Sequence, residues 1–234
     1  DMTLGEYLWK LTLEKALYVP VSVNRAKELL PKNCREKSPL IPLGVDTQIF
    51  IPKGIENENP EILFVGRFIK AKGVHYLLQA MAIVKRVIPK FHLTLVGDGP
   101  EKSFFKQLIE ELNLSNNVTF VTFVPFDQVV EFFQKCDIFC LPSLGEPFGL
   151  VLLQAMSCGK PVVATAAGGV PDFVDNGKSG FLVPPRDPYA LAKALLKLLL
   201  DDELRAQMGQ YNRKLCEENY DWNLIVNKIE QLYL

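Results

Sequence analysis

Glu61-Ile62-Leu63-Phe64-Val65-Gly66-Arg67-Phe68-Ile69-Lys70-Ala71-Lys72-Gly73-Val74 is the stretch on which the fold turns. Ile62 to Val65 form an apolar run of strand length, and Gly66 ends it. After a basic loop, Val74, Leu77, Leu78, Met81, Val84 and Val87 fall at helical spacing until Pro89. Strand, loop and helix together make one β-α unit. The pattern recurs downstream: strands over 91–96, 118–121 and 138–141 precede helices over 101–112, 127–134 and 148–158. Residues 161–164 and 180–183 supply two further short strands. Short apolar strands alternating with helices of about 10–15 residues predict an α/β fold, a Rossmann-like doubly wound parallel sheet.

The flanks read differently. Beyond Pro188 there is only helical pattern: an amphipathic helix from Tyr189, a second from Glu203, and a third over 221–234 with Trp222, Ile225, Ile229 and Leu232 on one side. The first 60 residues hold a strand-like 17–21, a short helical 24–30 and a connector containing Pro31, Pro39, Pro42, Pro52 and Pro60. The expected division is 1–40 as the remnant of a preceding domain and linker, 41–188 as the sheet domain, and 189–234 as helices packing on it.

Composition narrows the function classes. With 26 Lys plus Arg against 27 Asp plus Glu the net charge is −1, so no broad basic surface attracts nucleic acid. A bound phosphate must be met locally. No run reaches the ~18 apolar residues of a membrane span, and the start lacks a signal pattern. The opening Asp1-Met2 suggests a beginning that is not the natural one. The five cysteines, Cys34, Cys136, Cys140, Cys158 and Cys216, lack CxxC pairing and read as reduced core residues of a cytoplasmic protein; no metal site is expected. His75 and His92 have no carboxylate or hydroxyl at a telling spacing and read as structural.

In an open parallel sheet, ligands bind beyond the carboxyl ends of the strands. After the first strand, Gly66 permits a tight exit, Arg67 offers a guanidinium that grips phosphate in bidentate fashion, and Lys72 stands before the next helix. Two solvated cations on a turn is the bland alternative. After the second comes Gly97-Asp98-Gly99-Pro100, explained by turn chemistry and lacking the third glycine of a dinucleotide fingerprint. After the fourth comes Ser143-Leu144-Gly145-Glu146-Pro147-Phe148-Gly149-Leu150, a lone carboxylate before a helix start at Pro147, suited either to the helix dipole or to sugar hydroxyls. After the fifth, Gly168-Gly169-Val170-Pro171 allows a close backbone approach.

Taken in order, Gly66-Arg67 with Lys72-Gly73, Gly97-Asp98-Gly99-Pro100, Ser143 with Glu146-Pro147-Phe148-Gly149-Leu150, and Gly168-Gly169 with Pro171 resemble the carboxyl-terminal half of retaining family-four glycosyltransferases of GT-B fold. Residues 41–46 resemble the hinge into that half, with Leu43 where Asn is usual, and Tyr220-Asp221-Trp222 resembles the start of its returning helix. The resemblance implies transfer of a sugar from a UDP- or GDP-sugar to an acceptor hydroxyl with retention. It implies Arg67, Lys72 and Glu146 as catalytic residues: the two cations on the diphosphate in place of a metal, the carboxylate on sugar hydroxyls. Gly66, Gly97, Phe123, Val124, Phe148, Gly149, Leu150 and Gln154 would line the nucleotide-sugar site. No cofactor is implied. The partners implied are an acceptor glycan or lipid-linked sugar and an amino-terminal Rossmann half, in the same or another chain, with contact to the cytoplasmic face of a membrane through that half.

Two positions depart from the family pattern. Gln154 stands where a glutamate accepts from both ribose hydroxyls, and an amide has one acceptor oxygen, so roughly 1–3 kcal/mol of nucleotide binding is at stake. Thr122 stands where glycine is common. The alternatives are therefore a catalytically inactive nucleotide-sugar-binding or regulatory module, or one subunit of a split enzyme. A sugar-nucleotide epimerase of the same fold would need acid-base carboxylates and a histidine that the sequence does not offer.

Overall fold

A computed structural model of the chain describes residues 12–13, 15–55, 57–122 and 124–234. Six strands form one sheet: β1 (Glu61–Val65), β2 (His92–Val96), β3 (Val118–Val121), β4 (Ile138–Leu141), β5 (Val162–Thr165) and β6 (Gly180–Val183). Their order is β3-β2-β1-β4-β5-β6 and every neighbouring pair is parallel. Ile62, Leu63 and Phe64 are buried in succession, on both faces of β1, because helices cover both sides of the sheet. The strand order reverses between β1 and β4, which opens a crevice at their carboxyl ends. The doubly wound parallel sheet expected from the sequence is the one observed.

The helices are α1 (Asn24–Leu29), α2 (Lys32–Arg35), α3 (Val74–Lys85), α4 (Lys102–Glu111), α5 (Phe126–Lys135), α6 (Leu150–Ser157), α7 (Pro188–Leu199), α8 (Asp202–Asn219) and α9 (Trp222–Glu230). α7 packs against α3 and α8 against α6. Asp187 and Asp201 cap α7 and α8, their carboxylates accepting from the amides of Ala190 and Leu204 at 2.9 Å each.

Three elements differ from the sequence reading. Residues 17–21 form no strand; Val21 makes a single bridge to Leu40, because no neighbouring strand of the sheet lies alongside to extend the pairing. The helix expected from Pro147 begins at Leu150, because Gly149 at φ 97° adopts a left-handed conformation that a continuing helix excludes. In α9 only Ile225 is buried, while Trp222 and Ile229 are exposed. The helix is held from its first residues, where Val45 N–H donates to Tyr220 O at 2.8 Å and Trp222 N–H donates to Val45 O at 3.1 Å.

Candidate functional site

The loops after β1 and β2 are joined along their backbones. Gly66 N–H donates to Val96 O, Phe68 N–H to Asp98 O and Glu101 N–H to Phe68 O, at 2.8–3.0 Å. Beneath them Phe68 is fully buried and meets Phe105 and Phe120 edge-on at 5.7 Å. That anchor fixes the loop but leaves Arg67 exposed and without an ion pair among the described residues. Arg67 lines a cavity of about 430 Å³ whose apolar walls are Val65, Val96, Val124 and Val129, with Gly66, Gly97 and Asp98 at its polar side. Phe123, beside Val124, lies outside the described residues.

The β1 loop continues as a tight turn over Lys70–Lys72 and reaches Gly73 at φ 65°. A Cβ there would come within 2.1 Å of Pro142 O, so only glycine lets the β1 loop lie against the β4 loop. Leu144 N–H donates to Ala71 O at 2.7 Å across this contact. The consequence is an ion pair: Lys72 Nζ lies 2.6 Å from Glu146 Oε2, and Ser143 Oγ donates to the same oxygen at 3.1 Å. The carboxylate is nearly enclosed, its side chain 8 % exposed, whereas that of Lys72 is 23 % exposed. No described donor reaches Glu146 Oε1, which leaves that oxygen as the free acceptor.

The β5 loop closes the far side. Gly168 lies at φ 62° with its would-be Cβ 1.8 Å from Glu146 O, and Gly169 N–H donates to that carbonyl at 2.9 Å. Glu146 is thus gripped from both flanks while its helix starts four residues later, so its charge is answered by Lys72 and not by the α6 terminus. Gly149 and Leu150 open α6 with amides that have no intrahelical acceptor. Phe148 is buried, its ring stacked on Phe173 at 4.8 Å. Gln154 is 9 % exposed, on the second turn of α6.

The structure therefore brings Lys72 and Glu146 into contact, sets Arg67, Gly66, Gly97 and Val124 around the neighbouring cavity, and puts Phe148 in the packing below. The Lys72–Glu146 pair spans 74 positions, and no local spacing announces it. Sequence reasoning also passed over residues 22–29. They form one wall of a larger cavity, of about 660 Å³, whose other wall holds Gly145, Glu146, Pro147 and Gly168. Nothing in Ser22-Val23-Asn24-Arg25 marks it beyond an ordinary helix start.

His92 opens β2, at the sheet end away from the loops. His75 stands in the first turn of α3 beside Tyr76, its buried Nδ1 without a partner among the described residues, and lines a cleft of about 330 Å³ with Lys70, Glu101, Leu144 and Arg186. Burial lowers both imidazole pKa values. All five cysteines are free and buried, and burial pushes the Cys158 thiol up to about 12.

The sequence profile described as "Glycosyl transferases group 1" matches residues 45–215. The chain belongs to this glycosyltransferase family. Among curated relatives, D-inositol 3-phosphate glycosyltransferase of Corynebacterium jeikeium is 37 % identical over 213 residues, covering 83 % of this chain and 51 % of that protein. The glycosyltransferase chain spans about half the length of the curated relatives it matches. Among solved structures, sucrose-phosphate synthase of Thermosynechococcus elongatus superposes with a TM-score of 0.86 at 32 % identity, over 97 % of this chain and 60 % of that one. HepE of Anabaena, solved in complex with UDP, gives 0.86 at 25 % identity, over 100 % of this chain and 70 % of that one. The fold of the glycosyltransferase chain is thus that of GT-B enzymes. None of its described helices is long and apolar enough to cross a membrane.

Proposed function

We propose that the chain is the donor-binding half of a retaining glycosyltransferase that moves a sugar from a nucleotide-diphosphate sugar to an acceptor hydroxyl. The observation that carries this reading is the Lys72–Glu146–Ser143 cluster at the strand-order reversal, next to an exposed Arg67 that makes no ion pair among the described residues. The UDP bound in the HepE structure supports a nucleoside diphosphate as the ligand. The base enters the apolar cavity beside Val124, where the backbone of Gly66 and Gly97 permits close approach. Gln154 faces the ribose, and Phe148 serves by holding the β4 loop through its ring stack on Phe173.

As the bond between the anomeric carbon and the diphosphate oxygen breaks, the electron pair stays with the phosphate. Arg67, Lys72 and the amides of Gly149 and Leu150 receive that charge without a metal. An ammonium has three donors, so Lys72 can keep Glu146 and still serve a phosphate oxygen. Glu146 Oε1 accepts from a hydroxyl of the sugar. The acceptor oxygen then bonds to the anomeric carbon on the face that the diphosphate leaves, and its proton passes to the departing diphosphate oxygen. In this reading the enzyme works in the cytoplasm and takes its remaining acceptor contacts, membrane contacts included, from an amino-terminal half.

Calorimetric titration of the chain with UDP, GDP and ADP tests the donor site: at least one should bind, and heat-silent titrations with all three overturn the proposal. Gln154 favours a second reading, a binding module without turnover, because its amide offers the ribose one acceptor oxygen. Binding without transfer, once the amino-terminal half is supplied, would select that reading.

A further inference from the structure

The β4 loop is held from the end of β5 at two points. Thr165, the last residue of β5, is fixed by the sheet: it pairs with Val183 of β6, and the next amide, Ala166 N–H, donates to Val183 O at 2.8 Å. From that position Thr165 Oγ1 donates to Ser143 O, a carbonyl that no other described donor reaches. Three residues further along the same loop, Glu146 O accepts from Gly169 N–H at 2.9 Å. Thr165 and Ser143 are both buried. A valine has nearly the same shape and suits a strand as well as threonine does, so packing alone does not ask for the hydroxyl. Its partner on the β4 loop does.

The turn from Ser143 to Glu146 is thus pinned at both of its end carbonyls, and the side chains at those ends meet. Ser143 Oγ donates to Glu146 Oε2 at 3.1 Å, and Lys72 Nζ reaches the same oxygen at 2.6 Å. With Oε2 occupied, the aim of Oε1 follows the Ser143 backbone, and a hydrogen bond weakens steeply once its angle is lost. We infer that Thr165 is a positioning residue for the donor sugar: its hydroxyl, acting through Ser143, aims Glu146 Oε1 at a sugar hydroxyl. The inference rests on the donor-site reading above and separates, within it, the hold on the sugar from the hold on the diphosphate. The backbone around Arg67 is bonded to the β2 loop, through Val96 O and Asp98 O, and not to Thr165. Losing the Thr165 hydroxyl should therefore be felt at the sugar and spare the diphosphate.

The test is calorimetry of the chain with UDP, GDP and ADP and with UDP-glucose, GDP-mannose and ADP-glucose. Thr165→Val should weaken the nucleotide-sugar that wild type binds at least fivefold, while the matching nucleoside diphosphate stays within twofold. Thr165→Ser should recover most of the loss. Ser143→Ala cuts the next link with Thr165 intact and should show the same selective loss. Glu146→Gln should also weaken the nucleotide-sugar, and adding Thr165→Val to it should cost less than a further twofold, because both act through one contact. Unchanged nucleotide-sugar affinity in T165V or S143A, equal losses of diphosphate and nucleotide-sugar, or multiplying losses in the double variant overturn the inference and leave the donor site standing. So does a wild-type chain that binds a diphosphate and none of the three nucleotide-sugars. A wild-type chain that binds none of the three diphosphates removes both readings.

Discussion

Removing the Lys72 ammonium would leave the enclosed Glu146 carboxylate with Ser143 as its sole described partner, whereas removing the Arg67 guanidinium strands nothing. The two cations of one proposed diphosphate site therefore differ in their effect on folding. Lys72→Met should cost about 2–3 kcal/mol of stability, most of it recovered in the double variant with Glu146→Gln, while Arg67→Ala should stay within about 0.5 kcal/mol. Urea unfolding of the four chains checks this, and equal midpoints for the two single variants would contradict it. Both single variants should lose UDP affinity by calorimetry. This divides what the sequence suggests, which is two solvent-facing cations: Arg67 is exposed, and Lys72 is committed to an ion pair. Gln154 belongs to the same scale. Gln154→Glu places a carboxylate at a position 9 % exposed, so the free chain should lose about 1–3 kcal/mol. If the ribose contact holds, UDP should raise the Tm of that variant by more than it raises that of wild type.

Between β6 and α7 the chain turns at Arg186, which holds φ at 65°, a conformation that costs an L-residue with a Cβ about 1–2 kcal/mol. The side chain is exposed and makes no ion pair among the described residues that would offset this. Arg186→Gly should therefore stabilise the chain by about 1 kcal/mol despite the glycine's larger unfolded-state entropy, read as a higher urea midpoint with an unchanged slope. The elements also show what was legible in advance. β1 to β6 were readable because each is a short apolar run, fully buried in the central β4 and β5 and only partly so in the edge strands β3 and β6, and the glycines at 73, 97 and 168 marked the ligand edge because close backbone approach leaves a trace in residue type. The start of α6 was not readable. Pro147 imitates a helix start, and the rule that overrides it is the left-handed Gly149. α1 was readable as a helix, but its seat on the β5 loop depends on a Val23–Gly169 contact between segments about 145 residues apart, for which periodicity carries no signal.

For the molecule as a whole, the sheet end away from the ligand loops sets a pH dependence. Glu61 opens β1 with its carboxylate accepting from Thr94 Oγ1 at 2.5 Å, while its own amide donates to Asp137 Oδ2 at 2.7 Å. Burial, with the Asp137 charge adding to it, pushes the Glu61 pKa to about 7 against the opposing effect of the Thr94 bond. The folded chain thus binds a proton more tightly than the unfolded one. Stability from this group is complete below about pH 4.5 and is lost as the pH rises through about 7. The loss should be on the order of 1–2 kcal/mol once solvent screening of a partly exposed group is allowed for. Glu61→Gln should remove that slope, and unfolding midpoints between pH 4 and 8 decide it: parallel curves for the two chains would refute the assignment.

Arg213 on α8 brings its Nη1 within 3.0 Å of three carbonyls, those of Thr47 and Phe50 in the segment leading into the sheet and that of Ser157 at the last turn of α6. Eight residues earlier, about 12 Å along the same helix, stand the Gly149 and Leu150 amides proposed to receive the diphosphate. α6 is thus a short rod with one end clamped to the linker and the other at the chemistry. A twist applied to residues 47–50 is delivered, through one guanidinium and two turns of helix, as a change of aim at the phosphate.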